Sequence, residues 1–164
     1  MICIGECLKS TANSGHSATS QYLVYNGFIM FHIVDADTTL GGVLAELICE
    51  FGHDVFLFSN PVEYLELMKT PEYVSPVAIF SDVNMPRMNG YDFMHQVKQA
   101  NPQQKVVIIT ENPGLKHDYK HLACMYLCKP FAPDSLKTMV AVLMRCQYQC
   151  WLCHHGFVEN EKGK

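Results

Sequence analysis

Between Phe31 and Leu143 the chain alternates two kinds of hydrophobic pattern. Short apolar runs of strand length recur five times: Phe31 to Val34, Val55 to Phe58, Val77 to Phe80, Lys105 to Ile109 and Met125 to Leu127. They show little polar alternation, as strands buried on both faces of a parallel sheet do. Between them apolar residues return at helical spacing. Leu40, Val43, Leu44, Leu47, Ile48 and Phe51 form one such stripe, stopped by Gly52. Tyr91 to Ala100 carries Met94 and Val97 on one face with Pro102 beyond it, and Pro133 opens a helix bearing Leu136, Met139, Val140 and Leu143. Asn60-Pro61-Val62-Glu63 predicts another helix start, with an N-cap, Pro at the first position and an acid at the third. Before the last strand the pattern predicts only a short, weak helix between Leu115 and His121.

Five strand–helix repeats require parallel strands with helical crossovers on both faces. The expected fold is α/β, a doubly wound three-layer sandwich around a five-stranded parallel sheet. In such sheets ligands sit beyond the carboxyl ends of the strands. Asp35, Asp82, Thr110 and Lys129 all fall at or just after predicted strand ends. That is a site, inferred from placement alone.

The flanks differ. Residues 1–29 contain two formal charges, Glu6 and Lys9, and the Ser/Thr/Asn/Gly stretch from Ser10 to Ser20 has neither period. They read as a disordered extension or a mis-assigned start, with the domain spanning 30–150 and a polar tail over 151–164. A net charge of −4 and the lack of any Lys/Arg run argue against nucleic acid and against a charge-driven membrane contact. The longest apolar stretch, Tyr22 to Val34, is broken by Asn26, Gly27 and His32, so no membrane span is expected. Met1 to Cys7 lacks the parts of a secretory signal, so the eight cysteines read as thiols or metal ligands and the cytoplasm as the compartment.

The segment Asp82-Val83-Asn84-Met85-Pro86-Arg87-Met88-Asn89-Gly90 resembles the phospho-acceptor loop of response-regulator receivers. Ile33-Val34-Asp35 is similar to their first acidic site, Ile109-Thr110 to their hydroxyl site and Lys129-Pro130-Phe131 to their lysine site, in the right order and with chemotaxis-type spacing. The resemblance implies a flavodoxin-like sheet of order 2-1-3-4-5 and an aspartyl phosphate formed on Asp82. It implies Mg²⁺ held by Asp35, Asp82 and the backbone carbonyl of Asn84. Lys129 would meet the phosphoryl oxygens and Thr110 would donate to them. Tyr126 reads either as the aromatic that follows this threonine or as a rim residue with an exposed hydroxyl. A cis Lys129–Pro130 bond is also implied. The bland alternative for Asp35 and Asp82 is helix capping, the common role of an acid after a strand.

Two residues depart from the family pattern. Ala36 stands where a second acid usually binds metal, which predicts weak Mg²⁺ affinity unless Asp37 substitutes. Glu111 replaces a small residue and would either screen an acyl phosphate from water or repel the donor. Thr110 to Lys129 is short for the family, and Pro113-Gly114 sits where a fourth helix would begin. The C-terminal cysteines permit three readings. Cys150-Trp151-Leu152-Cys153-His154 matches a haem-attachment pattern, and Cys146, Cys150 and Cys153 with His154 or His155 match a zinc site. The favoured one continues the last helix's apolar stripe through Cys146, Cys150 and Cys153, a surface for self-association or docking. Cys3-x-x-x-Cys7 is too isolated to support a reading.

The expected function is a single-domain response regulator, not an enzyme in its own right. It would take a phosphoryl group from a histidine kinase or phosphotransfer protein and signal to an unidentified protein target. The alternative is a phosphorylation-independent receiver acting as an interaction module, and a third class is a redox or metal sensor built on the C-terminal cysteines.

Overall fold

The computed structural model describes residues 2–3, 29–112, 114 and 117–146. Its elements are β1 (Ile2–Cys3), β2 (Met30–Val34), α1 (Thr38–Glu50), β3 (Asp54–Phe58), α2 (Pro61–Leu67), β4 (Ile79–Asp82), α3 (Gly90–Ala100), β5 (Val106–Thr110), a 3₁₀ turn at Lys120–Leu122, β6 (Met125–Cys128) and α4 (Pro133–Arg145). The sheet runs β1-β3-β2-β4-β5-β6. Its five longer strands are all parallel and, numbered among themselves, stand in the order 2-1-3-4-5. An added edge was not foreseen: Ile2 and Cys3 pair antiparallel with Leu57 and Phe56 of β3. The remainder of 1–28 and residues 147–164 lie outside the described residues, and with them the readings placed on Cys7, Cys150, Cys153 and the two C-terminal histidines.

Strand periodicity sorts the core into two layers. Phe31, Ile33, Leu57, Phe80, Val107 and Ile109 face α1 and α4, meeting Leu44, Ile48, Leu136, Met139 and Leu143. Val34, Ile79, Val106 and Ile108 face the other way, against Tyr64, Phe93, Met94 and Val97 of α2 and α3. Each such side chain stabilises the fold by about 1.5–3 kcal/mol on burial. Asn60 caps α2 as expected, accepting from the Val62 amide and donating to Glu63.

The structure corrects two sequence expectations. Of the weak helix expected between Leu115 and His121, the described residues from His117 onward form no α-helix and hold a single 3₁₀ turn. With no apolar period to bury, the segment lies on α3 through ring stacking, His117 on Tyr91 at 4.5 Å and Tyr119 on His95 at 3.9 Å. The last helix also stops earlier than the cysteine stripe requires. Cys146 already has extended backbone (φ −69°, ψ 96°), so the stripe does not run on helically through it. The buried Lys105, just before β5, donates to the carbonyls of Leu143 and Cys146, each at 2.6 Å. A cation on the last carbonyls complements the negative end of the helix dipole and fixes where α4 ends.

Candidate functional site

Four strand ends bring the candidate residues together. β2 delivers Asp35, β4 delivers Asp82, β5 ends in Thr110 and β6 is followed by Lys129. Asp35, Asp82 and Thr110 are buried, with 2%, 4% and 5% of their surface exposed. Lys129 Nζ stands 2.7 Å from Asp82 Oδ1. The Asn84 amide donates to Asp82 Oδ2 at 2.6 Å, closing a local turn that aims the carboxylate out of the strand end. Gly90 is required beside it, because a Cβ there would collide with the Asp82 carbonyl oxygen. Arg87 turns the loop in the left-handed region, at φ 69°. Lys129–Pro130 is cis, as the resemblance implied.

The capping alternative for the two acids fails. Asp37 caps α1, its Oδ1 accepting from Thr39 and Leu40, and Asn89 caps α3 by accepting from Tyr91 and Asp92. Asp35 instead accepts the Asp37 amide on Oδ1 at 2.8 Å, while its Oδ2 is buried without a hydrogen-bond partner. Burial pushes the Asp35 carboxyl up to about 6; the Asp37 amide opposes the shift, Asp82 adds to it, Lys129 opposes it and Asp37 adds slightly.

This is the donor set a hard cation would use: a buried carboxylate oxygen with nothing to bond, beside a second carboxylate. Among the described residues no group of three or more Asp, Glu, His or Cys gathers anywhere, so these oxygens would depend on backbone and water for the rest. Ala36 is half-buried against the α2/α3 layer and offers no oxygen. Asp37 is exposed, with one carboxylate oxygen already committed to its cap.

Thr110 Oγ1 accepts from the Asn112 amide at 3.1 Å, so its hydroxyl proton is left for another acceptor. Tyr126 is half-exposed and its hydroxyl donates to the Lys120 carbonyl at 2.6 Å, tying it to the 3₁₀ turn. Burial holds the Tyr126 phenol well above its ordinary range. The exposed Glu111 shares an open groove with Lys129, Pro130 and Phe131 and with Leu40, Val43 and Leu47 of α1. Sequence reasoning missed the buried His32, whose one signal was a polar residue inside an otherwise apolar strand.

Comparison with known proteins settles the family. The model of the response regulator receiver domain matches residues 31–141, well over half of the chain. The protein belongs to the response-regulator receiver family. Over 113 residues this receiver is 33% identical to the DNA-binding transcriptional regulator NtrC of Escherichia coli, a match covering 66% of the chain and 23% of NtrC. Over 116 residues it is 30% identical to the transcriptional regulatory protein CusR of E. coli, covering 69% of the chain and 50% of CusR. The receiver thus spans half or less of these relatives. Among solved structures, the receiver domain of NtrX from Brucella abortus aligns with a TM-score of 0.64 at 19% identity, over 71% of the chain and 99% of that domain. Response regulator TrrA from Thermotoga maritima, solved in complex with Mg(2+)-BeF, aligns at 0.63 and 22%, over 70% of the chain and 98% of TrrA. Among the described residues no helix is long and apolar enough to cross a membrane.

Proposed function

We propose that this receiver accepts a phosphoryl group on Asp82 from a histidine kinase or phosphotransfer protein and signals through protein–protein contacts. The observation that carries the reading is the Lys129–Asp82 pair at 2.7 Å beside the unpartnered Asp35 oxygen. A carboxylate attacking a phosphoryl group must approach an anion, so positive charge has to be held in place beforehand. Lys129 supplies one such charge. An Asp82 oxygen forms the new O–P bond as the donor's N–P bond breaks, and the donor imidazole leaves with the electron pair. Lys129 then exchanges its carboxylate partner for a phosphoryl oxygen, and the Thr110 hydroxyl donates to another. When bound, Mg²⁺ would neutralise phosphoryl charge between Asp35, Asp82 and the Asn84 carbonyl. Its affinity is weak because Ala36 contributes no carboxylate.

Tyr126 is the candidate relay from Thr110 to the surface, through its bond to Lys120. The proposed compartment is the cytoplasm, where such donors act. Incubation with acetyl phosphate and Mg²⁺ tests the reading by intact mass. One phosphoryl group is expected on the wild type and none on Asp82→Asn; equal labelling of the two proteins removes the assignment.

A second reading has a specific observation behind it. The direct metal position is Ala36, so the receiver would act as a phosphorylation-independent interaction module. No mass increase on the wild type at saturating Mg²⁺ would favour it.

A further inference from the structure

On the α2 side of the sheet lies a pocket of about 250 Å³ lined by Met30, His32, Phe56, Phe58, Leu67, Glu72, Tyr73 and Val74. Its walls are apolar and aromatic, and its polar element is buried. His32 is 4% exposed and set edge-on to Phe56 and Tyr73. Its Nδ1 bonds the Tyr64 hydroxyl at 2.8 Å, and that hydroxyl meets the Tyr73 hydroxyl at 3.0 Å. His32 Nε2 has no hydrogen-bond partner among the described residues.

We propose that this pocket binds a neutral or cationic single-ring aromatic molecule carrying one hydrogen-bonding group, held by His32 Nε2. The volume supports the ring: a dry cavity of about 150 Å³ already admits benzene, and the space here allows one substituent more. The walls support an aromatic ligand, because edge-to-face ring packing is favourable at the spacings already found around His32. The hydroxyl relay supports the polar group. Protons can run from Tyr73 through Tyr64 to Nδ1, leaving Nε2–H a donor, or the reverse, leaving Nε2 an acceptor. The exposed Glu72 at the rim selects against anions. The site stands apart from Asp82 and does not depend on phosphorylation.

The test uses the full chain with phenol, benzene and benzoate as probes, followed by the NMR shifts of the His32 ring. Phenol is expected to saturate with a Kd on the order of 0.1–1 mM, as suits so few atoms. Benzene should bind about tenfold more weakly for want of one hydrogen bond. Benzoate should not saturate. Val74→Trp fills the space without touching the relay and should abolish phenol binding, which keeps the test decisive if His32→Leu folds poorly. Non-saturating phenol shifts would overturn the proposal. Equal binding of phenol and benzene, or undiminished binding by Val74→Trp, would overturn it as well.

Discussion

Acidification should weaken this domain through His32 more than through any ordinary surface histidine. The ring is buried and its pKa lies at about 3, pushed down from 6.5 by the cost of charging it away from water. The groups facing it are the Tyr64 and Tyr73 hydroxyls and the rings of Phe56 and Phe58, with the Glu72 carboxylate farther out at the pocket mouth. None of them supplies a buried negative charge that would stabilise an imidazolium. Between pH 6.5 and 3 the unfolded chain therefore binds a proton at His32 that the folded chain refuses. More protons bound by the unfolded state means that stability falls as pH falls, by about 1.4 kcal/mol per unit. Moving from about pH 7.5 to about pH 4.5 should remove roughly 3 kcal/mol through this residue alone, a large share of a typical 5–15 kcal/mol total. Other groups contribute over the same range, Asp35 with the opposite sign, so the quantity to measure is a difference. Urea denaturation of wild type and His32→Leu at both pH values isolates it. The variant should start less stable, having lost the Tyr64 hydrogen bond, yet lose about 3 kcal/mol less on acidification. Equal losses in the two proteins would mean that water or a polar group reaches His32 and the burial argument is wrong.

Lys105→Met should destabilise the fold by about 2–3 kcal/mol, since it strips a charged donor from two helix-end carbonyls, and thermal melting would register the loss. A change under about 0.5 kcal/mol would show those carbonyls finding water instead. Arg87→Gly should stabilise by up to about 1 kcal/mol, because left-handed backbone suits glycine and the gain is partly offset by its looser unfolded chain; a loss in chemical denaturation would show that the arginine side chain anchors the loop. Ala36→Asp should tighten Mg²⁺ roughly tenfold to a hundredfold, read by metal titration, unless another oxygen already fills that position. Glu111→Ala should shorten the lifetime of the labelled form if its carboxylate shields the acyl phosphate, and an unchanged decay rate would end that idea.

The sheet was legible because its strands are buried on both sides and so read as unbroken apolar runs, and the site because its four residues follow strand ends in a fixed order. What the sequence concealed depends on interactions between distant segments. Nothing local in Gln104-Lys105-Val106 says that a lysine in an apolar run will reach the end of a helix almost forty residues on. The irregular crossover before β6 was only half visible: Pro113 and Gly114 in the sequence argue against a helix start, but the stacking of His117 and Tyr119 onto α3 needs the fold. The acids near β2 could not be told apart by residue type. Asp35 and Asp37 differ in role because one is sealed beneath the loop and the other stands exposed at the first turn of α1.

The grip of Lys105 on Leu143 and Cys146 also sets a mechanical relation. β5 spans about 17 Å, at roughly 3.3 Å per residue, with Thr110 at one end and this lysine just beyond the other. The end of α4 is thus tied, through one lysine and one strand, to the same β5 that carries Thr110 at its far end.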